Sequence, residues 1–246
     1  MATVVELCDK LRGGYYTSPA VAAWLTNQAL QRRSDRVLEP SCGDGVFLEA
    51  AIARLKELGA SPSDIARQMT GVEFDADEAR KATRRAREGL TAADGWAVAN
   101  GDFFEWLEKN SSCEFDCVLG NPPFIRYQNF PEPSRTRAMA LMEVAGLRPN
   151  RLTNIWVPFV VGATCVLAPG GRLAMVLPAE LLQVSYAAQL RSFLAESFEA
   201  IQIAACNEML FAGAEQEVVL VVAEGKIEKA FMRRNACRID IRAFET

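Results

Sequence analysis

The segment Gly120-Asn121-Pro122-Pro123-Phe124 follows an apolar run, Phe115 to Leu119, and its residue types suit one chemical task. An exocyclic amino group on a heterocyclic base is a poor nucleophile, because its lone pair is delocalised into the ring. Acceptors that bond both of its N–H groups can aim that lone pair at an electrophile. The amide oxygen of Asn121 and the carbonyl of Pro122 are two such acceptors in fixed directions. Pro122 and Pro123 restrict the backbone and lower the entropy of holding that geometry. Phe124 offers an apolar face on which a base can stack, an interaction worth about 1–3 kcal/mol. No strong base is required, since the proton can leave after the nitrogen has become cationic. A plain strand-ending turn explains Asn-Pro as well, but Asn-Pro-Pro-aromatic is uncommon on composition alone.

A second set of residues surrounds Gly43-Asp44-Gly45. The stretch Val37-Leu38-Glu39-Pro40-Ser41-Cys42-Gly43-Asp44-Gly45 runs from a strand pattern into a helix pattern. Its glycines let the backbone approach a ligand closely. The pattern departs from the dinucleotide fingerprint, which wants glycine where Leu48 stands. Glu39 and Asp44 suit a ligand carrying an ammonium and a sulfonium better than a diphosphate. Glu39, Ser41, Gly43 and Gly45 are therefore candidate contacts for such a ligand. Glu73, closing Gly71-Val72-Glu73, can accept from both hydroxyls of a ribose. Asp102 can accept from an adenine amino group, with Phe103 against the ring. Any one acid after a strand is ordinarily a helix cap; three after successive strands, with Asn121 after a fourth, make one lined-up site.

Such a site needs a scaffold that gathers the ends of several strands. Short β-type runs alternate with helical patterns, which predicts an α/β fold: a Rossmann-like, mostly parallel sheet with helices on both faces. Arg36–Glu39, Met69–Phe74, Gly95–Asn100, Phe115–Leu119 and Arg172–Leu177 read as strands, the last entered through Gly170-Gly171. Ile201–Cys206 and Glu217–Ala223 read as a closing antiparallel pair. Helices are expected over Pro19–Gln31 with Ser18 as its cap, and over Asp44–Leu58, Asp75–Glu88, Asn154–Leu167 and Leu181–Glu196. Ligands of open α/β sheets bind beyond the carboxyl ends of the strands, where Glu39, Glu73, Asp102 and Asn121 fall. Tyr127–Pro149 reads as the loosest segment. Five arginines against two glutamates between Arg126 and Arg151 make it a candidate nucleic-acid contact or, equally, a solvated surface connection.

The chain has 246 residues, half of them hydrophobic, which fits one sizeable domain. No apolar run is long enough to span a bilayer, and the N-terminus lacks a signal pattern, so a cytoplasmic protein is expected. There is no histidine, which removes Ser-His-Asp and Cys-His catalysis. Cys113 and Cys117 have no second pair or histidine to complete a zinc site, so no metal is expected. The seven cysteines read as buried thiols rather than a disulfide framework. Net charge is −4, whereas a self-sufficient DNA-binding enzyme would more often show a basic face.

With these residues in view, the chain resembles the N6-adenine DNA methyltransferases of restriction–modification systems, in the class whose motifs begin with the N-terminal cofactor motif. Gly14-Tyr15-Tyr16-Thr17-Ser18-Pro19 is similar to that leading motif, and Glu39–Gly45, Gly71–Asp75, Gly101–Phe104 and Asn121–Phe124 follow in order. Thr153-Asn154-Ile155-Trp156, and Pro169–Arg172 through Leu177–Glu180, resemble later segments. The resemblance covers about residues 12 to 223 and implies a seven-stranded sheet whose last strand is antiparallel. It implies S-adenosylmethionine as cofactor. Thr17 would hold its methionine end, Glu39 and Gly43 its amino-acid portion, Glu73 the ribose, and Asp102 with Phe103 the adenine. The target adenine would be flipped out of DNA into the pocket at Asn121–Phe124. Arg126 and Phe211 are further substrate-binding candidates, Phe211 standing where the family commonly has a second aromatic.

Family members usually carry a target-recognition domain after the catalytic one, and Glu224–Thr246 is too short for it. The expectation is a single catalytic domain over residues 1–246, with recognition supplied by a specificity subunit or by chain not present. Glu224-Gly225-Lys226 is half of a nuclease motif with no paired Pro-Asp element. Competing readings are methylation of guanine N2 in ribosomal RNA or of a protein glutamine, and a non-catalytic cofactor-binding subunit of a DNA-modifying assembly. A nicotinamide oxidoreductase is disfavoured by the incomplete glycine fingerprint.

Overall fold

Strand β1 (Val37–Glu39) is buried at all three positions and lies inside an eight-stranded sheet. The other strands in chain order are β2 (Met69–Glu73), β3 (Ala99–Asn100), β4 (Phe115–Gly120), β5 (Leu167–Pro178), β6 (Phe198–Cys206), β7 (Val218–Lys226) and β8 (Arg238–Phe244). In space the order is β3-β2-β1-β4-β5-β7-β6-β8. Strand β7 is antiparallel to both its neighbours, and the other pairings are parallel. The computed structural model describes residues 17–90, 96–112, 114–150, 153–206, 218–228 and 237–244. Strand order reverses between β1 and β4, which opens a crevice beyond their carboxyl ends.

Helices cover both faces, as the alternating pattern predicts. On one side lie α1 (Pro19–Ala29), α2 (Val46–Glu57), α3 (Pro62–Gln68) and α4 (Ala76–Gly89), packed through Leu25, Phe47, Ile52, Ile65 and Ala82. On the other lie α5 (Phe103–Lys109), α6 (Ser134–Val144), α7 (Trp156–Cys165), α8 (Glu180–Gln183) and α9 (Ala188–Ser197), packed through Phe104, Met142, Trp156 and Leu190. Ser18 caps α1, its hydroxyl accepting from the Val21 N–H at 3.4 Å, and Pro19 occupies the first turn. Asp75 caps α4 by accepting from Asp77 and Glu78.

Four expectations need correction. The sheet has an eighth strand: Arg238, Asp240 and Arg242 alternate with Ile239 and Ile241, a strand period beyond the last expected element. Tyr127–Pro149 is not one loose loop but a 3-10 turn, Tyr127–Asn129, followed by α6. Helix α6 buries Ser134, Ala138 and Met142, a stripe of mostly small residues that flanking prolines obscure. Helix α3 was not foreseen, because it buries only Ile65 and shows no period. The helix expected over Leu181–Glu196 is broken at Val184, which is extended. The Arg191 guanidinium donates to the carbonyls of Leu181 (2.8 Å) and Val184 (3.1 Å) and so supports the break.

At the amino ends of the central strands sits a buried charge network. Asp35 is fully buried and pairs with Arg172 at 2.7 Å and with Arg32 at 2.8 Å. It also accepts from the backbone N–H groups of Gln31 and Arg32. This network anchors the sheet's edge away from the crevice.

Candidate active site

Parallel register brings the acids to one rim. Glu39 stands opposite Gly71, and Glu73 opposite Asn100. After β1 the chain turns through Gly43 (φ 50) and Gly45 (φ 88), both in the left-handed region that favours glycine. A Cβ on Gly45 would lie 2.8 Å from the Ala82 Cα, so α4 and this turn touch backbone to side-chain-free backbone. Arg85 on α4 fastens the turn from outside, bonding Asp44 at 2.7 Å and Glu49 at 2.9 Å.

Glu73 staples the same turn from the other side. Its two carboxylate oxygens accept from the Gly43 and Asp75 N–H groups, each at 2.8 Å. The Cys42 N–H donates to the Val72 carbonyl at 3.0 Å, and the Gly101 N–H to the Glu73 carbonyl at 2.9 Å. Asn100, which sequence reasoning missed, donates its side-chain amide to the carbonyls of Glu73 and Phe74. The three strand ends are thus laced into one rim.

Glu39 is the most unusual group there. It is 1 % exposed, and one of its oxygens is buried with no hydrogen-bond partner. Burial pushes its carboxyl well above the usual range, and the charges of Glu73 and Asp44 push it further, against a bond from the Leu48 N–H. Glu39 is thus a buried carboxyl with a free acceptor oxygen, under the influence of two more acids.

Asp102 caps α5, its Oδ1 accepting from the Glu105 N–H at 2.8 Å. Phe103 is not where the sequence placed its ring. It is 2 % exposed and stacks on Phe159 (5.1 Å) and Trp106 (6.4 Å), because α5 turns it toward the core. The aromatic that does present a surface at these strand ends is Phe74, 65 % exposed beside Glu73, and no sequence pattern singled it out.

The β4 loop completes the arrangement. Ser41 donates to the Asn121 backbone carbonyl at 3.4 Å, and the Asn121 side-chain nitrogen donates to the Thr17 hydroxyl at 3.2 Å. The Asn121 Oδ1 is buried with no partner. Pro122 is buried, Pro123 half-buried, and Phe124 packs against both cores. The Ile155 N–H donates to the Ile125 carbonyl at 2.9 Å, tying this loop to the start of α7. Arg126 is exposed just beyond it. Of the basic segment, Arg135 pairs with Glu132 and lies over the Tyr127 ring, and Arg137 pairs with Glu108. Phe211 and Gly14–Tyr16 lie outside the described residues, as does Cys113. A groove of about 750 Å³ lined by Arg80, Arg84, Arg87 and Asn100 runs along α4, apart from Asn121.

Thr17, Ser41 and Asn121 are joined by hydrogen bonds, Gly43 is bonded to Glu73, and Glu39, Gly45 and Asp102 lie at or just beyond the same strand ends. The model of the Eco57I restriction-modification methylase family matches residues 49–211. The chain belongs to that family. It is 30 % identical over 216 residues to the Type II methyltransferase M.PaeR7I of Pseudomonas aeruginosa, covering 76 % of this chain and 35 % of that relative. A structure of the Type ISP restriction-modification enzyme LlaGI, a nuclease-deletion mutant in complex with a DNA substrate mimic, superposes with TM-score 0.70 at 15 % identity. It covers 98 % of this chain and 29 % of that one. A Listeria monocytogenes structure described as a class I S-adenosylmethionine-dependent methyltransferase gives 0.65 at 15 % identity, covering 98 % and 71 %. The two structures share the fold. This Eco57I-family chain spans about a third of the length of the curated relatives it matches. Among the described residues no helix is long and apolar enough to cross a membrane.

Proposed function

We propose that the chain is the catalytic core of an S-adenosylmethionine-dependent methyltransferase that modifies the N6 amino group of adenine in DNA, in a cytoplasmic restriction–modification system. The observation that carries this reading is the buried, unpartnered Oδ1 of Asn121, on a proline-stiffened loop beside a crevice whose own charges are acidic.

The residues present fit the cofactor. Glu39 has a free buried oxygen for an ammonium group, and the turn is open at Gly43, where a Cβ would meet nothing within 4 Å. When bound, the cofactor supplies a methyl carbon on a cationic sulfur. Glu73 holds the turn and can take the ribose, and Asp102, with Phe74 as the exposed ring, borders the adenine end. Ser41 and Gly45 complete the proposed contacts, and Phe103 backs Asp102 from the core.

On the acceptor side, Asn121 Oδ1 and the Pro122 carbonyl accept from the two N–H groups of the adenine amine and direct its lone pair. Asn121 and Pro122 hold the amine in line, its lone pair toward the methyl carbon that the bound cofactor would supply, and the electron pair of the broken methyl–sulfur bond would stay with the cofactor. The cationic nitrogen then gives its proton to water. Phe124 stacks on the base, which helps offset the few kcal/mol of unstacking a flipped base, and Phe211 is a second stacking candidate. Arg126 would contact the nucleic-acid backbone. Sequence selection falls to a recognition element elsewhere, in a longer chain or a specificity subunit, consistent with the greater length of the relatives.

Asn121→Ala is the test. It is expected to lower methyl transfer to duplex DNA by about 10²-fold or more while S-adenosylmethionine binding survives. Wild-type transfer rates in the variant would remove Asn121 from the mechanism. Nucleoside analysis of labelled product separates adenine from other acceptors.

A further inference from the structure

Thr17 and Asn121 stand 104 positions apart in sequence, yet their side chains meet. A side-chain amide has an oxygen end and an NH2 end of nearly the same shape, and half a turn exchanges them. The exchange is not neutral at an amine-binding site. Oδ1 toward an N–H is a hydrogen bond, whereas NH2 toward an N–H sets donor against donor. Whatever accepts from Nδ2 on the protein side thereby leaves Oδ1 for the substrate.

In this structure the Thr17 hydroxyl is that acceptor, at 3.2 Å, and Oδ1 is the buried end with no partner. The backbone of Asn121 is held independently by Ser41. Thr17 is itself well fixed. It precedes Ser18 and Pro19, which cap and start α1, and α1 is seated in the core through Val21, Ala22 and Leu25.

We propose that Thr17 is a positioning residue for the acceptor amide: its hydroxyl takes the NH2 end of Asn121 so that the oxygen end faces the amine to be methylated. This differs from the cofactor contact that the resemblance implies for Thr17, and it rests on the acceptor reading of Asn121. It also gives the N-terminal segment a part in the acceptor half of the site.

Three variants test it: Thr17→Val, which keeps the shape and removes the hydroxyl, Thr17→Ser, which keeps the hydroxyl, and Asn121→Ala. The first readout is the Asn121 side-chain amide signal in protein labelled with 15N-asparagine, assigned by its loss in Asn121→Ala. The others are calorimetric Kd for S-adenosylmethionine and kcat for transfer to duplex DNA. Thr17→Val is expected to move the amide signal and to lower kcat about ten- to a hundredfold, with Kd changed by less than about twofold. Thr17→Ser is expected to restore signal and rate. An Asn121 signal unmoved in Thr17→Val overturns the proposal, as does a weakened Kd with kcat preserved. Full activity in Asn121→Ala overturns the acceptor reading and this proposal together. Activity lost in Asn121→Ala but retained in Thr17→Val overturns this proposal alone.

Discussion

Glu39→Gln turns the charge deficit of the crevice into a measurable slope. The Glu39 carboxyl is 1 % exposed, has one oxygen without a donor, and is pushed above its ordinary value of 4.5 first by burial, then by Glu73 and Asp44. An acid whose pKa is higher folded than unfolded binds its proton more tightly in the fold. The stability it contributes is fully present below about pH 4.5 and is lost as pH rises toward the folded-state value. Inside that window each pH unit costs up to 2.303RT, about 1.4 kcal/mol or tenfold in the folding constant. Glutamine keeps an oxygen to accept from the Leu48 N–H and turns a neutral donor toward Glu73 and Asp44, so the variant lacks this dependence. Urea unfolding of both proteins without cofactor, at steps between about pH 5 and pH 8, reads the difference. The stability of Glu39→Gln relative to wild type is expected to grow with pH and then level off. Parallel profiles would refute the buried, cation-deficient state of Glu39. The same variant is expected to bind S-adenosylmethionine more weakly, because it gives up the charge that the ammonium group requires.

Other perturbations follow from the same contacts. Asp35→Ala strands the Arg172 guanidinium, whose side chain is 7 % exposed, and is expected to cost about 3–5 kcal/mol in chemical denaturation; a loss under about 1 kcal/mol would show the pair to be dispensable. Glu73→Gln presents an NH2 to one of two N–H donors that the carboxylate now satisfies, Gly43 or Asp75, so a destabilisation of about 1–3 kcal/mol and weaker cofactor binding are expected. Wild-type binding by calorimetry would count against the staple. Gly45→Ala must find room for a Cβ 2.8 Å from the Ala82 Cα at φ 88, so cofactor affinity is expected to fall by tenfold or more, about 1.4 kcal/mol, with circular dichroism unchanged. An unaltered Kd would show that the turn does not touch the ligand.

The strand ends were legible because β-type runs and the acids that follow them are local signals. Met69–Glu73, Phe115–Gly120 and the β6–β7 pair fall close to where hydrophobicity and turn residues put them. Elements whose stabilisation is tertiary were not legible. Helix α6 is held by small buried residues between prolines, and α3 by Ile65 alone. Strand β8 has a strand period but carries its isoleucines outward, Ile239 at 53 % and Ile241 at 54 % exposed, so its alternation marks no buried face and its order comes from pairing with β6. The Asp35–Arg172 pair joins residues 137 positions apart, which no spacing reveals.

The site shows the same division one level down. Sequence identifies which acids stand at strand ends, since parallel register brings strand ends together whatever the side chains do. It does not say how each side chain is used, since that depends on partners supplied by the fold. Asp102 gives one oxygen to a helix start, Glu73 gives both to backbone N–H groups, and Phe103 gives its ring to the core. Glu39 and Asn121 are different: each keeps a buried oxygen that the protein does not satisfy. Burying an acceptor without a donor is unfavourable by about 1–3 kcal/mol, and a ligand that supplies the donor recovers that cost. One orphan lies at the acidic turn and the other at the proline-stiffened loop, with Ser41 bonded between them to the Asn121 backbone. In the proposed function an ammonium group meets the first of these oxygens and an amine N–H the second.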